Sequence, residues 1–202
     1  GRGNSPLLTA NIADHGTIYG GRGLDFDGVT DYLDCGADVH DFSSGDFTIT
    51  TWIYHDTANT DHAGIVGIRD SNTEVQFYVR NGGGDDNKLA SWNGSGNVYS
   101  TSAIPDEEWT HVGLVQSGGN KKFYINGALD NTASQSNGTA DSTSLKIGYT
   151  GSGDEYFLGK ISDLKIFDTA LTEAQVQELY LKPEQSAPLA VRDNLVAWYP
   201  MC

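Results

Sequence analysis

Positive charge is scarce in this chain. Twelve Lys and Arg stand against 27 Asp and Glu, a formal net charge of −15 over 202 residues. Phosphate binding needs a concentrated cationic surface, so a nucleic-acid partner is disfavoured, and an anionic membrane surface for the same reason. Long apolar runs are lacking too. No stretch approaches the roughly 20 residues of a spanning helix, and none reads as a signal peptide, so membrane insertion is not expected. Two cysteines are too few for a disulfide framework. Cys35 shares one face of an alternating segment with Leu33, which suits a small core hydrophobe. Whether Cys35 and Cys202 pair is left open. Catalytic signatures are also missing: no Gly-x-Ser-x-Gly elbow, no His-Glu-x-x-His motif and no phosphate loop. Asp25-Phe26-Asp27-Gly28 begins like a calcium loop, but an EF-hand requires Gly and Glu where Thr30 and Gly36 stand.

With 38% hydrophobic and 19% charged residues the chain is not a disordered acidic tail; it reads as a soluble globular domain. Its 25 Gly and ten Tyr, among many Ser, Thr, Asn and Asp, suit short strands and tight turns. Apolar residues recur with period two in strand-length runs: Phe47, Ile49 and Ile53; Val75, Phe77 and Val79; Val112 and Leu114. Lys122-Phe123-Tyr124-Ile125 runs into Asn126-Gly127, a strong hairpin signal. One helix is predicted after Thr172, with Gln175 completing a capping box and Val176, Leu179 and Tyr180 on one face, ending before Pro183. Strands without alternating helices predict an all-β antiparallel sandwich.

The segments Leu24–Leu33, Phe47–Ile53, Glu108–Val112, Lys122–Leu129 and Gly159–Thr172 together resemble, in order, a laminin-G-like domain of the concanavalin A-like lectin and glucanase group. The resemblance implies a jelly roll with one short helix, with residues 1–182 as the domain and 183–202 as a linker and terminal strand. That strand, Leu195–Pro200, is similar to the first strand of such domains; it either completes the sandwich or starts a further module. The glucanase branch carries Glu-x-Asp-x-Glu or Glu-x-Asp-x-x-Glu, and neither occurs here. Asp106-Glu107-Glu108 is the nearest cluster and reads as a solvated turn, because adjacent strand residues point to opposite faces. A non-enzymatic domain is therefore expected. The resemblance further implies a structural Ca²⁺ held between the Asp27-Gly28 turn and the last strand. There the usual Asp position holds Ser162, and Asp163 is shifted by one.

Glycan binding needs an aromatic surface beside amides and carboxylates. Trp92, flanked by polar and Gly residues, is the best platform, with Tyr99, Tyr149 and Tyr156 as further aromatics. Trp52 and Trp109 are assigned to the core. The binding face is expected at a rim built from residues 55–62, 69–74, 85–94 and 153–156, with Trp92, Asn93, Asp70, Asn72, Asp85, Asp86, Asn87 and Tyr156 as ligand contacts. The expected function is adhesion or glycan recognition outside the cell or on a virion, with a glycan or a cell-surface protein as partner. A structural assembly component, homo-oligomeric or part of a larger surface array, is the alternative.

Overall fold

The computed structural model describes residues 22–201, except positions 38, 59–61, 71–72, 83, 85, 140–143, 184 and 186, and except the side chains at 70, 73 and 74. Thirteen strands among the described residues form two antiparallel sheets packed face to face. Sheet A contains β1 (Leu24–Asp27), β3 (Phe47–His55), β8 (Trp109–Ser117), β9 (Asn120–Ile125), β10 (Ala128–Ser134) and β12 (Leu158–Phe167), in the order β1-β12-β3-β8-β9-β10. Sheet B contains β2 (Leu33–Asp34), β4 (Ala63–Asp70), β5 (Thr73–Arg80), β6 (Lys88–Trp92), β7 (Asn97–Ala103) and β11 (Lys146–Ile147), in the order β2-β11-β4-β5-β6-β7. This is the antiparallel jelly roll that the alternating pattern and the resemblance predict.

The period-two runs explain the core. Phe47, Ile49, Ile53, Leu114 and Phe123 of sheet A meet Val66, Phe77, Val79 and Leu89 of sheet B, all with no exposed surface. A fully buried side chain of this size contributes about 1.5–3 kcal/mol relative to an exposed one. The hairpin at Asn126-Gly127 has positive φ at both positions (49° and 78°), the backbone a two-residue turn of matching twist demands. Asn126 also accepts a hydrogen bond from the His111 amide at 3.0 Å.

Helix α1 (Glu173–Leu181) starts at the expected capping box: Thr172 Oγ1 accepts from the Gln175 amide, and Gln175 Oε1 accepts from the Thr172 amide at 2.8 Å. It lies on the outer face of sheet A and buries Val176, Leu179 and Tyr180. Trp52 is 1% exposed, but it sits outside the space between the sheets. Its ring stacks on Tyr180 at 5.5 Å, with half-buried Trp109 alongside. Position 52 is even where the inner positions 47, 49 and 53 are odd, so the strand's own alternation places it outward.

Strand β13 (Leu195–Tyr199) pairs antiparallel with β12, from Leu164 opposite Tyr199 to Phe167 opposite Leu195. Asp163, in left-handed backbone (φ 51°), bulges from β12 here. Its carboxylate receives Lys165 Nζ at 2.5 Å and Trp198 Nε1 at 2.7 Å, with both charged side chains buried. Cys35 is half-buried against the main core and is a free thiol; Cys202 lies outside the described residues.

Candidate functional site

Sheet B turns a row of polar and aromatic side chains to its outer face. Val75, Phe77 and Val79 point inward, so Gln76 and Tyr78 must point out. Register then lines up the neighbours: Asn97 lies opposite Trp92, Trp92 opposite Gln76, Gln76 opposite Gly67, and Gly67 opposite Lys146. Between them is an open depression of about 190 Å³, lined by His62, Arg69, Gln76, Tyr78, Trp92, Asn97 and Glu155.

One wall of this depression is the segment 148–157, which crosses the outer face of β4. Glycine at positions 64 and 67 permits the crossing. A Cβ on Gly67 would stand 2.2 Å from the Thr150 carbonyl oxygen, and one on Gly64 would stand 2.4 Å from the Thr150 amide nitrogen. The segment is therefore seated directly on the sheet. Thr150 Oγ1 donates to Glu155, which holds the carboxylate on the side of β5.

The floor is ordered by its own contacts. The Tyr78 hydroxyl donates to Asn97 Oδ1 at 2.8 Å, leaving the Asn97 amide N–H₂ as a donor to a ligand. Burial, with Tyr99 and Glu155 nearby, pushes the Tyr78 hydroxyl well above its ordinary pKa, so it stays a neutral donor. The His62 ring stacks on Tyr78 at 5.0 Å. Gln76 is 4% exposed, and its Nε2 has no hydrogen-bond partner among the described residues. A buried amide left unpaired costs about 1–3 kcal/mol, which an entering hydroxyl would recover. Trp92 is half-buried beside it, so its ring is neither core nor fully open. Among the described residues, Glu155 is the one carboxylate in the lining.

Each of the four rim segments expected from the sequence supplies one residue to the depression, His62, Arg69, Trp92 and Glu155, whereas Asp86 and Asn87 lie apart from it. Residues 85–94 span β6, so Asp86 and Asn87 lie at one end of the strand and Trp92 and Asn93 at the other, with Asn87 and Trp92 about 16–17 Å apart at the rise of a strand. Asp86 accepts from the Gly82 amide within its turn. Asn87 donates to Asp106 Oδ2 at 2.7 Å, while Asp106 Oδ1 holds His55 Nδ1 at 2.8 Å. Asp106 is thus a clasp between strand ends and not a solvated turn residue. Burial lowers the His55 pKa against the opposing pull of Asp106. Asn93 is used up in the β6–β7 turn: Oδ1 accepts from the Ser95 and Gly96 amides, and Nδ2 donates to the Ser136 carbonyl. Asp70 ends β4; Asn72 and Asp85 lie outside the described residues. Tyr156 stacks on Tyr149 on the far side of the wall. Of the expected contacts whose side chains are described, only Trp92 lines the depression. Gln76, Tyr78 and Asn97 were missed. The alternation around Val75–Val79 marks two of them as outward, but cross-strand register is not visible in a single strand.

The four residues expected to hold Ca²⁺ do not share a site. Asp27 pairs opposite Leu158, four and five positions along β12 from Ser162 and Asp163. Its Oδ1 accepts from the Val29, Thr30 and Asp31 amides at 2.8–3.0 Å, which holds the carboxyl far below its usual range. Gly28 takes positive φ (70°) in this turn. Ser162 donates to the Pro200 carbonyl, and Asp163 is occupied by Lys165 and Trp198. No cluster of three His, Cys, Asp or Glu able to hold a metal occurs among the described residues.

Comparison with known proteins places this geometry. A laminin-G-type family model, described as the concanavalin A-like lectin/glucanases superfamily, matches residues 27–177. A provisionally assigned carbohydrate-binding protein from Bacteroides ovatus is similar in structure, with a TM-score of 0.67 and 22% identity. The match covers 89% of this chain and 52% of that one, so the chain spans about half of its length. Domain 4 of a family GH43 extracellular arabinanase from Geobacillus stearothermophilus, solved with arabinotriose, superposes with a TM-score of 0.57 and 25% identity over 69% of each chain. Adhesion G-protein coupled receptor V1 of Danio rerio is 24% identical over 91 residues, 43% of this chain and 2% of the receptor. No helix among the described residues is long and apolar enough to cross a membrane. With the family model matching three quarters of its length and the two-sheet fold agreeing, the chain belongs to the concanavalin A-like lectin/glucanase superfamily, in its laminin-G-like branch.

Proposed function

We propose that this chain is a non-catalytic glycan-binding domain of an extracellular or surface-displayed protein, and that a sugar ring binds in the depression on sheet B. The observation that carries the reading is the pair Gln76 and Trp92: a buried amide without a partner directly opposite a half-exposed indole. A sugar ring presents C–H surface to an aromatic face and hydroxyls to amides and carboxylates, which matches this pairing. The arabinotriose complex of the similar arabinanase domain supports a carbohydrate ligand, and the adhesion receptor supports an extracellular setting. A glycan array on the native chain and on Trp92→Ala tests it. Selective binding by the native chain, lost in the variant while the melting temperature falls by no more than about 2–4 °C, is expected. An array without signal, or an unchanged profile in Trp92→Ala, overturns the reading.

Assembly between copies is the second reading. The outward residues of β13, Val196 and Trp198, are 43% and 36% exposed, and beyond β12 this strand pairs with no other described strand. An exposed apolar edge is a template for pairing. Concentration-dependent dimerisation, abolished by Val196→Glu, would favour it; a monomer at all concentrations would end it.

A further inference from the structure

Three tyrosines gather on the far side of the wall from the depression. The rings of Tyr149 and Tyr156 stack in parallel, 4.2 Å apart at 8°. Tyr32, 43% exposed, leans on both at 5.6 and 6.4 Å. Lys146 Nζ stands 5.6 Å from the centre of the Tyr149 ring. Lys146 belongs to the same cross-sheet row as Gly67, Gln76, Trp92 and Asn97. The outer face of sheet B thus carries two aromatic groups, one on each side of the segment 148–157. Because Gly64 and Gly67 let that segment lie on the sheet with no side chain beneath it, the wall between them is one backbone thick where it crosses the row.

We infer that the ligand is an oligosaccharide that crosses this wall, with one ring in the Trp92 depression and a later ring on the Tyr32–Tyr149–Tyr156 cluster. The inference rests on the glycan reading of the depression. The depression of about 190 Å³ is small beside the roughly 300–1,000 Å³ of sites that enclose a drug-sized ligand, so it holds one ring and not a chain. From β6 to β11 is three strand spacings, about 14 Å, which is too far for one sugar and within reach of a short oligomer. Half-buried Glu155, held by the buried Thr150 hydroxyl, provides a carboxylate along the crossing. Neutral sugars fit best, because the tyrosine hydroxyls, amides and one carboxylate offer donors and acceptors together.

Titration calorimetry with the xylo-, arabino-, gluco- and galacto- series, from monosaccharide to hexasaccharide, tests the inference on the intact chain. For the series that binds, affinity should rise by about tenfold, or about 1.4 kcal/mol, between the monosaccharide and the tetrasaccharide, then level off. Tyr32→Ala should abolish this gain and leave monosaccharide affinity as it was; Tyr149→Ala should act in the same direction. Trp92→Ala should lose both. A length dependence that survives both tyrosine substitutions, or affinity that is flat with length, overturns the extended site and leaves the depression standing. Monosaccharide binding untouched by Trp92→Ala, or no binding of any series at millimolar concentration, overturns the depression and the extension together.

Discussion

Outward positions of sheet A carry Trp52, His111, Val115 and Tyr124, and outward positions of sheet B carry Gln76, Tyr78, Trp92 and Asn97. The strands alternate in the same way, yet the two faces end differently. On sheet A the large outward residues Trp52, Val115, Tyr124 and Phe167 stand among smaller or polar ones such as Thr48, Thr50 and Gly113, and α1 packs on this face, leaving Trp52 and His111 at 1% and 2% exposure. On sheet B they are amides and amphipathic rings, and the segment 148–157 lies on them across β4. A sheet face is closed when its outward residues need burial and stays open when they can hydrogen-bond to what arrives. The open face is where a binding role fits.

That contrast is sharpest in the cost of disturbing each face. Asp163→Asn removes the partner of buried Lys165 while keeping the side chain's shape. It should cost about 3–5 kcal/mol, lowering the melting temperature by roughly 10 °C. Calorimetric melting checks this, and a shift below about 2 °C would show that the covered edge of sheet A is not held by the ion pair. Tyr180→Ala should cost about 3 kcal/mol by removing the ring stacked on Trp52. Denaturant midpoints check it, and a near-neutral result would mean that α1 is dispensable as a cover.

The interior supplies the next comparison. Lys121 is 1% exposed, its Nζ has no hydrogen-bond partner among the described residues, and it stands 4.4 Å from the centre of the Phe47 ring. Burial lowers its pKa from 10.5 to about 7. The unfolded chain therefore binds this proton more tightly, and stability should rise with pH between about 7 and 10.5. Lys121→Met should flatten that rise and stabilise the chain at pH 7 by about 2 kcal/mol, once the lost cation–π contact is subtracted. Chemical denaturation across this pH range is the measurement. The smallest expected stability effect is at the open face: Trp92→Ala should cost about 1 kcal/mol while removing ligand binding. A loss of about 3–5 kcal/mol instead would make Trp92 a packing residue and erase the difference between the two faces.

Much of the architecture was legible from local chemistry. The capping box at Thr172 and Gln175, the Asn126-Gly127 turn and the alternation of Phe47, Ile49 and Ile53 each act over a few residues, so the sequence alone placed them. The outward aim of Gln76 and Tyr78 was present in the same alternation. The site was harder because its members come from β5, β6, β7 and the 148–157 segment, and only register sets them side by side. Asp86 and Asn87 looked adjacent to Trp92 in sequence, yet the length of β6 carries them to the opposite end of the strand.

Composition, period and turn chemistry by themselves determined that this chain is an acidic β-sandwich with one capped helix, because strand alternation and capping depend on neighbours within one turn or one pleat. Tertiary structure alone decided which outward face is covered, that Asp106 clasps His55 and Asn87, and that Asp163 meets Lys165 and Trp198 instead of the Asp27 turn. The Asp106 clasp joins residues 51 and 19 positions apart. The Asp163 site depends on β12 pairing with β1 and β3 across more than a hundred residues, where a one-residue shift in register would have sent every side chain to the other face.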